Sequence, residues 1–161
     1  VHFRTRTNTD DIEAALQVTL QKFQHQTGLP TRLQIDGDGL PLPADVQVQV
    51  LHVLQEALSN VRKHAGASHV SLDVHKAARW RFAVRDNGAG FDTAQQRSEN
   101  HVGMKIMRER AERIGASVEL VSSPGQGTTV TLTLPPYPVS GRGIGTLGLN
   151  LQELSETLPA P

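Results

Sequence analysis

The chain has 161 residues, enough for one domain, and its hydrophobic content of 37% is normal for a packed globular core. Sixteen basic residues balance sixteen acidic ones, so a general nucleic-acid or membrane-surface binder is not expected. The absence of cysteine excludes a disulfide framework, a cysteine nucleophile and thiolate-bound metals.

Hydrophobic residues recur at helical spacing in three segments of the chain. They predict helices over residues 8–26, 44–64 and 103–114. Between the second and third helices, residues 86–102 have no periodicity and predict a long loop.

Alternating apolar and polar residues indicate five strands. These predicted strands cover residues 32–36, 70–74, 80–84, 118–121 and 128–134. The second and third strands, and the fourth and fifth, are close enough in sequence to form hairpins. The order of elements predicts an α+β domain. We expect a two-layer α/β sandwich, with a mixed, mostly antiparallel sheet covered on one face by three helices.

The composition changes after Leu134, where prolines and then glycines interrupt every pattern. We therefore expect the domain to cover residues 9–135. Residues 136–161 are expected to be a flexible Pro/Gly-rich C-terminal tail.

Polar residues gather on one side of the second predicted helix. At about 100° per residue, Glu56, Asn60 and Lys63 lie within roughly 60° of one another, opposite the apolar stripe. Asparagine is a poor helix former, so Asn60 needs a reason, and its amide oxygen and the Glu56 carboxylate suit Mg²⁺. A solvent-exposed helix face is the alternative. His64, near the helix end, suits a C-terminal cap better than a catalyst.

Asp86 continues the inward register of the apolar residues in the predicted strand before it. A carboxylate at an inward position is costly unless it receives hydrogen bonds. Gly88 and Gly90 follow and let the backbone pass close to a flat ligand. The segment therefore suits a base with an exocyclic amino group, such as adenine. A plain Asn-Gly turn with a capping aspartate is the alternative.

Two further glycine patterns follow along the chain. Gly103 opens the third predicted helix, whose free N–H groups can hold phosphate, and Lys105 lies in its first turns. The segment Gly125-Gln126-Gly127-Thr128 lies between the last two strands. A glycine-capped helix and an ordinary hairpin turn are the alternatives.

These four patterns occur in one order within one small domain, and with them the chain resembles the catalytic ATP-binding domain of sensor histidine kinases. That domain has the Bergerat ATP-binding fold, shared with gyrase, Hsp90 and MutL. The asparagine box is matched by QEALSNVRKHA at 55–65, and the glycine boxes by DNGAG at 86–90, HVGMKIMRERA at 101–111 and SPGQGT at 123–128. The first and third of these segments are similar to the nitrate/nitrite sensor kinases. Val102 stands where some relatives have glycine, so only Gly103 is expected to serve as the phosphate-loop glycine.

The resemblance implies a role for each matched residue. Asp86 would bind the adenine amino group, Asn60 would hold Mg²⁺, and Glu56 would act as general base or reach Mg²⁺ through a water. ATP is expected to contact Asn60, Lys63, His64, Asp86, Gly88, Gly90, His101, Gly103, Met104, Lys105, Gly125, Gly127 and Thr128. The implied reaction transfers the γ-phosphoryl group of ATP to a histidine, with ATP and Mg²⁺ as cofactors.

In the family, the phosphate-accepting histidine is followed directly by an acidic residue, and none of the seven histidines here is. They precede Phe3, Gln26, Val53, Ala65, Val70, Lys76 and Val102. The acceptor is therefore expected upstream, outside this chain, in a dimerisation and phosphoacceptor domain whose linker ends in residues 1–8.

The resemblance also implies partners and a location. We expect an isolated monomer that does not phosphorylate itself, and a full-length homodimer with a cognate response regulator and no nucleic-acid partner. The domain is expected to be the cytoplasmic part of a bacterial sensor kinase anchored in the inner membrane.

Two alternatives of the same fold stay open. One is a nucleotide-binding switch or scaffold without kinase output, although the presence of both Glu56 and Asn60 favours a kinase. The other is an anti-sigma serine kinase, against which the Met-Arg-Glu-Arg-Ala segment of the third predicted helix argues.

Overall fold

Three α-helices and five strands make up the part of the chain that the computed structural model describes, residues 8–92 and 99–136. In chain order these are α1 (Asn8–Thr27), β1 (Thr31–Gly37), α2 (Ala44–Asn60), a π-helical turn (Val61–Ala65), β2 (Val70–Lys76), β3 (Arg81–Asp86), α3 (Glu99–Glu112), β4 (Ser117–Ser122) and β5 (Thr128–Thr133). The predicted linker of residues 1–8, apart from Asn8, and the predicted tail beyond Pro136 lie outside the described residues.

The strands form one sheet in the order β1-β2-β3-β5-β4. Only β1 and β2 pair in parallel, because α2 lies between them in the chain and carries it back across the sheet. The pairs β2–β3, β3–β5 and β4–β5 are antiparallel, and both predicted hairpins are present. The expectation of a mixed, mostly antiparallel sheet is confirmed.

The hydrophobic core lies between this sheet and the three helices. Alternate strand residues such as Leu72, Phe82 and Leu132 are buried, while most of their neighbours in sequence are at least partly exposed. Each helix adds its apolar stripe to the same core, through residues such as Leu16 in α1 and Met107 in α3. The predicted two-layer sandwich is confirmed. No helix among the described residues combines the length and the apolar character needed to cross a membrane.

The predicted start of the third helix was wrong. The third helix begins at Glu99, so Gly103 lies inside α3 rather than opening it, and the loop after β3 is shorter than predicted. The added turn escaped prediction because Val102 within it is exposed and does not continue the apolar periodicity.

The second helix is α-helical only to Asn60 and continues as a π-helical turn to Ala65, one residue beyond the predicted end. Gly66 then stops it in the left-handed conformation, with φ at 61°. Short π-helical segments occur frequently at functional sites, and this one directly follows the candidate ligand Asn60.

Candidate nucleotide-binding site

A pocket opens where the end of α2 and the start of α3 meet one end of the sheet. Its walls are formed by Ala57, Asn60, Val61, Val84, Asp86, Gly90, Phe91, Met104, Leu120, Thr128 and Val130. Most of these side chains are apolar, as in other sites for flat ligands. The space that water can reach is only about 40 Å³, room for a few water molecules.

The polar end of the pocket is built by the strand register. Asp86 ends β3 and lies opposite Thr128, the first residue of β5. The half-buried Asp86 carboxylate accepts the Gly88 N–H at 2.8 Å and the backbone N–H of Thr128. Burial raises the pKa of Asp86, and these two hydrogen bonds offset part of that rise. The site therefore presents a hydrogen-bond acceptor among apolar walls, as an exocyclic amine requires.

The loop after β3 and the turn before β5 contact each other so closely that Gly90 and Gly127 must be glycine. Gly90 has φ at +68°, and a side chain there would collide with the carbonyl oxygen of Ser123. Gly127 has φ at +74°, and a side chain there would collide with the Asp86 carbonyl. The Gly125 N–H also donates to the carbonyl of Ala89. The glycines thus hold the loop after β3 against the turn before β5.

The other end of the site is formed by two side chains that converge on α3. Glu56 and Asn60 lie one turn apart on α2. A side-chain carbon added at Gly103 would lie 3.1 Å from Asn60 Oδ1 and 3.2 Å from Glu56 Oε2. A side chain at this position would therefore require the side chains of Asn60 and Glu56 to shift.

Carboxylate and amide oxygens are the ligand types that Mg²⁺ prefers, so this pair fits the predicted cation. No group of three or more His, Cys, Asp or Glu residues suited to a metal occurs in the described part of the chain. A cation here would take its remaining ligands from substrate phosphates and water, as Mg²⁺ commonly does.

The structure brings many of the predicted residues together. Those that line the pocket are Asn60, Asp86, Gly90, Met104 and Thr128. Glu56 and Gly103 lie against Asn60, and Gly88, Gly125 and Gly127 belong to the two loops at the Asp86 end of the pocket. Lys63 and Lys105 are exposed and do not line the pocket. The side chains of His64 and His101 lie outside what the structure describes.

Sequence reasoning missed part of the pocket. Phe91 follows the predicted glycine loop directly, and Val84, Leu120 and Val130 have the alternation of ordinary core residues. Ser122 carries no pattern, yet its hydroxyl contacts both loops. Only the position of Phe91 beside the loop offered a signal.

The fold and the site define a nucleotide-binding ATPase domain, and comparison with known proteins agrees. The chain belongs to the family of histidine kinase-, DNA gyrase B- and HSP90-like ATPases, whose model matches residues 45–138. The predicted family is confirmed, and with it the assignment of the chain as an ATP-binding domain of the histidine kinase type.

Among curated relatives, the nitrate/nitrite sensor protein NarQ of Escherichia coli (strain K12) is 35% identical over 133 residues, covering 81% of this chain and 23% of that protein. The signal transduction histidine-protein kinase/phosphatase DegS of Brevibacillus brevis is 31% identical over 121 residues, covering 74% of this chain and 31% of that protein. The chain thus spans less than a third of the length of each of these relatives.

Solved structures show the same fold. The histidine kinase domain of the blue-light activated kinase from Erythrobacter litoralis EL346 matches with a TM-score of 0.61 and 20% identity, covering 78% of this chain and 61% of that one. The histidine kinase AdeS of Acinetobacter baumannii matches with a TM-score of 0.61 and 12% identity, covering 81% of this chain and 66% of that one. At these identities the likeness concerns the fold alone.

Proposed function

We propose that this chain is the catalytic domain of a two-component sensor histidine kinase, which transfers the γ-phosphoryl group of Mg²⁺-bound ATP to a histidine outside the chain. The observation that carries the proposal is one site with two chemically different ends. Asp86 provides an acceptor for a base at one end, and Glu56 and Asn60 converge on Gly103 at the other.

At the base end, the chain binds adenine and excludes other bases. The Asp86 carboxylate accepts an N–H of the adenine amino group, while apolar side chains such as Val84 and Val130 cover the faces of the ring. Guanine presents a carbonyl in place of that amine, so two acceptors would face each other. The backbone N–H groups that hold Asp86 keep its carboxylate in place before the nucleotide arrives.

At the phosphate end, a Mg²⁺ ion bound together with ATP would supply neutralisation of the triphosphate charge. Asn60 would hold Mg²⁺ through its amide oxygen, and Glu56 would hold it through a water. Glu56 would also accept the proton of an attacking nucleophile. We assign one or both of these roles to it, because its carboxylate oxygen lies beside Gly103 and next to Asn60.

Two exposed lysine side chains near the phosphate end would supply further contacts to the triphosphate. Lys63 follows Asn60 in the π-helical turn, and Lys105 follows Gly103 in α3. Both are long, exposed side chains, and each would bind the triphosphate as a mobile positive charge. His64 and His101 are proposed as further contacts from their places beside these residues in sequence.

The cellular role is proposed from the relatives. The 35% identity to NarQ supports nitrate/nitrite-type signalling, in a membrane-anchored homodimer with an upstream phosphoacceptor domain and a response regulator. The similarity to other sensor kinases supports the same partners but does not support nitrate or nitrite as the sensed signal.

The test is phosphoryl transfer between separate molecules. The full chain is mixed with γ-³²P-labelled ATP, Mg²⁺ and a separate segment of its own protein that carries the upstream acceptor histidine. We expect acid-labile, base-stable label on the segment and none on the chain. Glu56→Gln should lose most of the transfer and keep ATP binding, whereas Glu109→Gln, an exposed change in α3, should transfer normally.

Two results would overturn the proposal. Nucleotide binding without transfer to any acceptor segment would favour a switch or scaffold module of the same fold. Label on the chain alone would make one of its own seven histidines an acceptor.

A further inference from the structure

Ser122 links three parts of the nucleotide pocket through one partly buried hydroxyl group. The residue ends β4 and lies opposite Thr128 in the strand register. Its Oγ accepts the N–H of Phe91 at 3.0 Å, donates to the carbonyl of Gly127 at 3.1 Å, and lies 2.8 Å from Oγ1 of Thr128. One side chain thus joins the loop after β3, the turn before β5 and a residue of the pocket wall.

The proton balance of this hydroxyl determines the direction of each bond. A serine hydroxyl has one proton to donate and two lone pairs to accept with. The Phe91 N–H is only a donor and the Gly127 carbonyl is only an acceptor, so Ser122 uses one lone pair for the first and its proton for the second. All three contacts are satisfied together only when the Thr128 hydroxyl donates its proton to Ser122.

This arrangement decides what Thr128 offers to a ligand. With its proton directed to Ser122, Thr128 Oγ1 has only lone pairs left for the pocket that it lines. Asp86, opposite Thr128 in the register, also presents only lone pairs. The two polar side chains at this end of the pocket therefore both present acceptors, which favours a base carrying an amine and disfavours one carrying a carbonyl at the same place.

We propose that Ser122 is a positioning residue for base selection: it holds the Thr128 hydroxyl as an acceptor and so reinforces the preference for adenine that Asp86 begins. The inference rests on the proposed binding of ATP and adds to it a residue that does not itself touch the nucleotide.

The substitution Ser122→Ala should leave the fold intact. The loop after β3 stays tied to the turn by the bond from Gly125 N–H to the Ala89 carbonyl and by the close packing of Gly90. The Asp86 carboxylate keeps both of its backbone donors. The chief change is at Thr128, whose hydroxyl becomes free to rotate and to donate its proton into the pocket.

The experiment compares ATP with inosine triphosphate, in which a carbonyl replaces the amine of adenine and N1 carries a proton; the contact compared is that of the group at the amine position. Competition against labelled ADP gives both affinities for the full wild-type chain and for three variants. These are Ser122→Ala, Ser122→Thr, which keeps the hydroxyl, and Ser123→Ala, the matched change at the exposed neighbour.

We expect Ser122→Ala to lower the ratio of ATP to inosine triphosphate affinity about five- to tenfold, the effect of one hydrogen bond. ATP binding should weaken while inosine triphosphate binding holds or improves. Ser122→Thr and Ser123→Ala should keep the wild-type ratio.

The outcomes distinguish a failure of the proposed ATP binding from a failure of the proposed role of Ser122. A wild-type chain that binds neither nucleotide would overturn the proposed function. A wild-type chain that binds ATP, together with an unchanged ratio in Ser122→Ala, would overturn only the role of Ser122. An equal loss of both nucleotides in Ser122→Ala would reduce Ser122 to a structural residue and refute its part in selection.

Discussion

Replacing Gly103 with alanine tests the phosphate end of the site by adding one methyl group. Gly103 lies within α3, where alanine is favoured over glycine by about 1 kcal/mol. Against this, the new methyl would lie 2.9 Å from Asn60 Nδ2 and 3.2 Å from Glu56 Oε2. Overpacking of this kind costs about 1–3 kcal/mol. The two effects together predict a loss of zero to about 2 kcal/mol in the free energy of unfolding.

Nucleotide binding should suffer more than stability. The methyl group occupies the point on which the two oxygen ligands converge, so Asn60 and Glu56 must turn away from it. Loss of one charge-assisted hydrogen bond or ligand contact costs about 1.5–3 kcal/mol, which corresponds to a 10- to 150-fold weaker affinity for Mg²⁺-bound ATP. Urea unfolding measures the stability, calorimetry measures the affinity, and Val102→Ala, an exposed change in the same turn, is the control.

The result that would refute this reasoning is a Gly103→Ala chain that binds Mg²⁺-bound ATP as the wild type does. The phosphates would then lie elsewhere. The double variant Asn60→Ala/Gly103→Ala separates crowding from ligand loss. Removal of the amide relieves the collision, so stability should recover while affinity stays low.

Three further predictions concern single groups. Because burial raises the pKa of Asp86, the folded chain holds more protons than the unfolded chain between the ordinary and the raised value. The free energy of unfolding should therefore fall as pH rises through that window, and Asp86→Asn should remove this fall in pH-dependent urea titrations. Asp86→Ala should weaken ATP and ADP by about 1.5–3 kcal/mol in calorimetry, and equal wild-type affinities for GTP and ATP would contradict the assignment. Asn60→Ala should abolish the Mg²⁺ dependence of ATP binding with an unchanged circular dichroism spectrum, and a wild-type response to Mg²⁺ would move the cation to other ligands.

Sequence patterns predicted best where one side chain follows from its own element. Asp86 was expected to point inward because it continues the alternation of Phe82 and Val84, and strand geometry alone produces that result. The pairing of Glu56 with Asn60 likewise follows from the helical repeat. In both cases the local period determines the direction of the side chain.

Patterns failed where the position of one element depends on another. Gly103 was expected to open a helix, yet it lies within α3, where it packs beside Glu56 and Asn60 of α2. No period within either helix reveals that contact. The role of Ser122 could not be predicted for the same reason, since strand pairing and two loops bring its hydrogen-bond partners to it. Such residues are found only once the sheet order is known.

The sheet order also determines when the site can form during folding. The β2–β3 and β4–β5 hairpins join strands close in sequence, whereas β3 and β5 pair across the intervening α3 and β4. Closing that longer loop is the slower, entropically costlier step. The same pairing brings Asp86 beside Thr128. A chain with both hairpins formed but with β3 and β5 unpaired therefore lacks the complete polar end of the pocket. Recovery of nucleotide binding should therefore follow the pairing of β3 with β5 rather than hairpin formation.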